Sequence, residues 1–111
     1  MAYDEALAAR VRELLAPMRG VDEKRMFGGL AFLINGHMTI AVSGQGGLLA
    51  RVPPGETDAL LGRVHVSPMV MAGREIRRGW LRVDPDGVRT KRQLAAWVTR
   101  CVDYTRGLPP K

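Results

Sequence analysis

The chain has one cysteine, three lysines and only two each of Phe, Tyr and Trp among its 111 residues. A lone cysteine gives no intrachain disulfide framework, so a reducing cytoplasm is the expected setting. It gives no zinc site either, because Cys101, His37 and His65 offer no paired ligand spacing. So few aromatics argue against a stacking platform for single-stranded nucleic acid. No strictly apolar run exceeds five residues, as in Leu30 to Ile34, which is far short of a membrane span. Asp4 and Glu5 stand where a secretory signal would be basic, so export is not expected.

What is present is 46% hydrophobic and 25% charged, the composition of one globular domain over residues 1–111. The net charge is +6 and unevenly placed. Residues 1–50 carry five basic and five acidic side chains, whereas residues 51–111 carry twelve and six. A basic half can meet phosphates, and Arg74, Arg77, Arg78, Arg82, Arg89, Lys91 and Arg92 are the candidate phosphate contacts. The last three surround the start of a helix whose dipole also favours an anion. The competing reading is a solvated face, since no run of five basic residues occurs and no helix-turn-helix is visible.

Periodicity outlines the elements. Tyr3, Leu7, Val11, Leu14, Leu15 and Met18 recur at helical steps, and Pro17 and Gly20 mark the end of that helix. Leu30–Ile34, the Asn35-Gly36 turn and alternating Met38, Ile40 and Val42 predict a hairpin. Leu48–Val52 predicts a third strand, and Glu56–Leu61 a short helix. Val64–Val66 and Met69–Met71 read as separate strand-like pieces, with Ala72-Gly73 breaking the pattern before Arg78–Val83. A final helix starts at a Thr90/Gln93 capping box, turns Leu94, Trp97, Val98, Cys101, Val102 and Thr105 inward, and closes with Gly107 as a left-handed cap. The result is an α+β domain, helices laid on an antiparallel sheet, in the order α-β(3)-α-β(2)-α.

No chemistry is assembled by spacing. Ser43 and Ser67 lie in no nucleophile elbow, and Gly44-Gln45-Gly46-Gly47 joins two strands with no helix N-terminus after it. Asp84 and Asp86 belong to a turn, and Cys101 sits on an apolar stripe where burial quenches a thiol. No catalytic residue, metal or cofactor is therefore expected. Met26, Met38, Met69 and Met71 fill a core at strand spacing or form an adaptable partner surface.

The stretch Arg25-Met26-Phe27-Gly28-Gly29-Leu30-Ala31-Phe32-Leu33-Ile34-Asn35-Gly36-His37-Met38 resembles the TfoX/Sxy N-terminal domain family. Leu48–Val52, Pro68–Arg74, Gly79-Trp80 and Leu94–Trp97 extend the resemblance over nearly the whole chain. It implies a two-layer fold like that of type III secretion chaperones. It also implies a non-catalytic regulatory or adaptor role in transcription, exercised through protein contacts, as in competence regulators that act with the cyclic-AMP receptor protein. Those regulators carry a second, C-terminal domain, which is not expected here. The family offers no established catalytic residues. Arg25, Met26, Phe27, Gly28, Gly29 and Trp80 are the candidate partner contacts, with packing as their alternative role. A protein partner, transcription machinery included, is the first expectation; a homodimer and direct nucleic-acid binding stay open, as does an enzyme of unrecognised type.

Overall fold

The computed structural model describes residues 3–26, 28–71 and 73–109, and of Met71 and Arg77 only the backbone. Helix α1 (Glu5–Leu15) opens with Asp4, whose carboxylate accepts the Leu7 amide at 3.1 Å and satisfies a first-turn donor. Leu7, Ala8, Val11 and Leu15 are buried, and Tyr3, Leu14 and Met18 pack half-buried beside them. Strands β1 (Val21–Met26), β2 (Gly29–Ile34), β3 (His37–Val42) and β4 (Leu48–Arg51) follow. A 3-10 turn (Pro54–Glu56) leads into α2 (Thr57–Leu61), then β5 (Val66–Met71), β6 (Arg74–Val83), a second 3-10 turn (Pro85–Gly87) and α3 (Lys91–Arg106).

The strands form one antiparallel sheet of order β1-β2-β3-β4-β6-β5. Helix α3 packs against β2, β3 and β4, and α1 packs against α3. The α+β architecture is the expected one, with one strand more than the sequence pattern indicates. That strand is β1, Val-Asp-Glu-Lys-Arg-Met, whose four central side chains are exposed at the sheet's edge. An edge strand buries little, so it shows no apolar alternation to read.

Asn35 and Gly36 take φ of +52° and +86°, the two positive values that a tight hairpin turn requires. The strand after it departs from strict alternation. Phe32 pairs with Ile40 but Leu33 with Met38, so Thr39 is the extra residue of a β-bulge. The bulge reverses the alternation: Ile40 and Val42 face the helices, whereas Met38 sits opposite Leu33 on the other face, half-buried. The buried Thr39 hydroxyl lies 3.0 Å from Thr105 Oγ1, which in turn donates to the Cys101 carbonyl of α3.

Three further corrections concern the second half. Val64 and His65 are not strand: Val64 is 78% exposed and His65 has φ +69°. Instead β5 runs unbroken through Pro68, which an edge strand tolerates because its missing N–H points to no partner. Strand β6 begins at Arg74 rather than Arg78, and Gly79, at φ +86°, kinks it where pairing with β5 skips from Leu81 to Ile76. Gly107 has φ −80°, so α3 ends in right-handed geometry and not in a left-handed cap. Its start is as expected: Thr90 and Gln93 each satisfy the other's backbone amide, at 2.9 and 3.1 Å. All six stripe residues of α3 are buried.

The core joins Leu30, Phe32, Ile34, Ile40, Val42, Leu48, Ala50, Leu81 and Val83 of the sheet to Val11 and Leu15 of α1 and Leu94, Val98 and Val102 of α3. Gly29 lies where the backbones of β2 and β3 approach closely, since a Cβ there would run into the Val42 carbonyl oxygen. Gly28 has open space around it. Gly29→Ala is therefore expected to cost about 2 kcal/mol by overpacking. Urea denaturation monitored by circular dichroism gives that loss directly, and an unchanged midpoint would refute the close approach.

Candidate functional site

The most developed polar cluster sits where β3 and β4 part. Their ladder stops at the Ile40–Ala50 pair, which leaves the carbonyl of Met38 without a strand partner there. Arg51, the next residue of β4, supplies one, its Nη1 donating to Met38 O at 3.2 Å. Its guanidinium lies 6.0 Å from the Trp80 ring centroid and 5.8 Å from that of Tyr104. Two ring faces and a carbonyl thus hold one half-buried cation at the junction of β3, β4, β6 and α3. Beside it opens a shallow cleft of about 470 Å³ between α3 and the Pro53–Glu56 segment. Arg100 spans that cleft, 5.6 Å from the Trp97 ring and 3.4 Å from a Glu56 carboxylate oxygen.

The face of the sheet turned away from α1 and α3 is the second surface. The register places Lys24, Ala31, Ala41, Leu49 and Arg82 in one row and Asp22, Leu33 and Met38 in the next. Leu33, Met38 and Leu49 are half-buried there, with no helix over them among the described residues.

Of the candidate partner contacts, Arg25, Met26, Gly28 and Gly29 lie together at the β1–β2 turn, where Met26 pairs with Gly29, but Trp80 does not join them. Arg25 is exposed and Met26 half-buried at the end of β1, Gly28 is in the turn that follows, and Phe27 lies outside the described residues. Trp80 stands four strands away and toward the opposite end of the sheet, where it faces Arg51. The basic residues divide likewise. Arg74 and Arg78 are exposed on the distal part of β6, while Lys91 and Arg92 are exposed at the start of α3, beyond the other end of that strand. Ten residues of strand span up to about 30 Å. Arg82 is engaged, Nη1 donating to Ser43 Oγ at 3.2 Å and Nε standing 3.9 Å from Asp84. Arg89 is paired with Asp86. The Arg77 side chain lies outside the description.

The titratable groups read as structural. His37 is buried with Nε2 against the Pro109 carbonyl; a carbonyl only accepts, so Nε2 carries the proton and pins the segment after α3 to β3. His65 is exposed. Burial pushes the Cys101 thiol from 9.0 up to about 12, outweighing the opposing pull of the Arg51 amide and the Arg100 charge. Among the described residues no three His, Cys, Asp or Glu side chains gather as a metal site would need, and no helix is long and apolar enough to cross a membrane.

The site is thus an arginine between two rings beside a half-buried apolar sheet face in an α+β domain. Residues 13–104 match the model of the TfoX N-terminal domain, and the chain belongs to that family. No curated protein and no solved structure gives a significant match. The family is not a known enzyme family. Arg51 went unmarked as a site residue in the sequence, for its two rings lie 29 and 53 positions further along. The only local signal was its place in Leu48–Val52.

Two outcomes follow. Arg51→Ala leaves the Met38 carbonyl without its donor and removes both ring contacts, an expected loss of about 2 kcal/mol in thermal or urea unfolding. The Cys101 thiol stays protonated in the fold after it ionises in the unfolded chain. Its stabilisation is complete below about pH 9 and is lost as pH rises toward about 12. Wild type should lose stability across that alkaline window faster than Cys101→Ala, and parallel curves would refute the buried-thiol assignment.

Proposed function

We propose that the protein is a non-catalytic regulatory or adaptor domain, resembling the N-terminal domain of competence regulators, that works through protein contacts in transcriptional regulation. Family membership suggests the competence-regulator-like character. The observation that carries the contact-based reading is the sheet face where Leu33, Met38 and Leu49 lie side by side without a covering helix. Side chains of that kind, rimmed by Lys24, Asp22 and Arg82, have the apolar centre and polar margin of a protein interface. Direct DNA binding draws less support, because the exposed candidates divide, with Arg74 and Arg78 on the distal part of β6 and Lys91 and Arg92 beyond its other end, and Arg82 and Arg89 are held by their own neighbours.

A titration of fluorescent duplex DNA, followed by anisotropy from low to physiological salt, separates these readings. The expected result is no salt-sensitive binding and no effect of Arg74→Glu/Arg78→Glu. Steeply salt-dependent binding abolished by that pair would replace the adaptor reading with a nucleic-acid one. In a promoter-reporter strain, Leu49→Glu should abolish any regulatory effect of the chain while leaving its unfolding free energy within about 1 kcal/mol of wild type.

A further inference from the structure

Strand β1 is an unpaired edge of unusual regularity. Its six residues pair with β2 without a slip, from Val21–Ile34 to Met26–Gly29, and it contains no proline. The opposite edge, β5, carries Pro68 and a register break. Half of the N–H and C=O groups of β1 point away from β2 into the solvent. Along this edge the side chains read Asp22, Glu23, Lys24, Arg25, two negative charges followed by two positive, all exposed.

Reversed and laid against itself, that order sets acid against base. We infer that β1 pairs antiparallel with β1 of a second copy of this chain about a two-fold axis, joining the two sheets into one. The axis must stand normal to the sheet, so facing residues lie on the same side of it. Asp22 and Lys24 share the helix-free side, opposite Leu33 and Ala31; Glu23 and Arg25 share the helix side, opposite Phe32 and Leu30. With Glu23 on the axis, Asp22 faces Lys24 of the second copy and Lys24 faces Asp22 of the second copy. The two Glu23 carboxylates then meet, and each is already neutralised by Arg12 of its own chain through bonds of 2.6 and 2.7 Å. The other register, with Lys24 on the axis, sets two ammonium groups against each other, and among the described residues no carboxylate pairs with Lys24. Parallel pairing in register sets like charge against like along the whole strand. The pattern therefore selects the antiparallel dimer centred on Glu23.

Light scattering on the full-length chain across a concentration series reads the mass, which should rise to twice 12.2 kDa. Asp22→Lys places Lys against Lys24 of the second copy, and Lys24→Asp places Asp against Asp22 of the second copy; each should weaken dimerisation about tenfold. Mixing the two variants restores both oppositely charged pairs, so the mixture should dimerise about as tightly as wild type although each variant alone is about tenfold weaker. A folding defect in either variant cannot produce that rescue. The inference is overturned by a wild-type chain that stays monomeric throughout, by a dimer indifferent to the single reversals, or by no recovery on mixing. None of these outcomes bears on the regulatory reading, which rests on the sheet face and not on its edge.

Discussion

The rest of the molecule depends on one apolar layer. Phe32, Ile40, Ala50 and Leu81 stand opposite one another across four strands, each fully buried, with the stripe of α3 over them. Burying a side chain of the larger kinds contributes on the order of 2 kcal/mol each, so this layer dominates any single polar contact. Because α3 is seated by that layer, its last turns arrive at fixed places. Thr105 reaches Thr39, Tyr104 reaches Arg51, and the segment after the helix reaches His37. The polar cluster is thus positioned by hydrophobic burial some distance from it.

How much of this was legible in the sequence followed from how each element earns its place. Helix α3 announces itself at both levels, by a capping box and by a stripe of six residues that all proved buried. The β2–β3 hairpin is signalled by Asn35-Gly36, whose torsions few other pairs adopt. Strand β1 carries no such mark, because it is held by backbone pairing to β2 while its side chains remain in water. The bulge at Thr39 is a tertiary choice, made where buried hydroxyls on β3 and α3 find one another, and alternation alone assigned Met38 to the wrong face. The left-handed cap at Gly107 failed for a related reason, since glycine permits that conformation without compelling it.

The candidate site was less legible than the fold. A count of arginines measures charge and not its employment. Arg12, Arg51, Arg82, Arg89 and Arg100 each have a partner within the chain, so a large share of the basic excess stabilises local geometry. Net charge could not separate these from Arg74, Arg78, Lys91 and Arg92. The grouping of Arg51 with Trp80 and Tyr104 required three elements to be placed in space first.

The strand order also bears on how the chain finds this arrangement. Of the neighbours in β1-β2-β3-β4-β6-β5, only β4 and β6 are not consecutive in the chain. The first four strands form a meander in which each pairing closes a short loop at small entropic cost. β5 and β6 make a separate hairpin of their own. Long-range closure includes the joining of β6 to β4 and the return of α3 across β2, β3 and β4 and onto α1. The sheet is thus two locally paired units, a four-strand meander and a hairpin, joined by the β4–β6 ladder and spanned by α3.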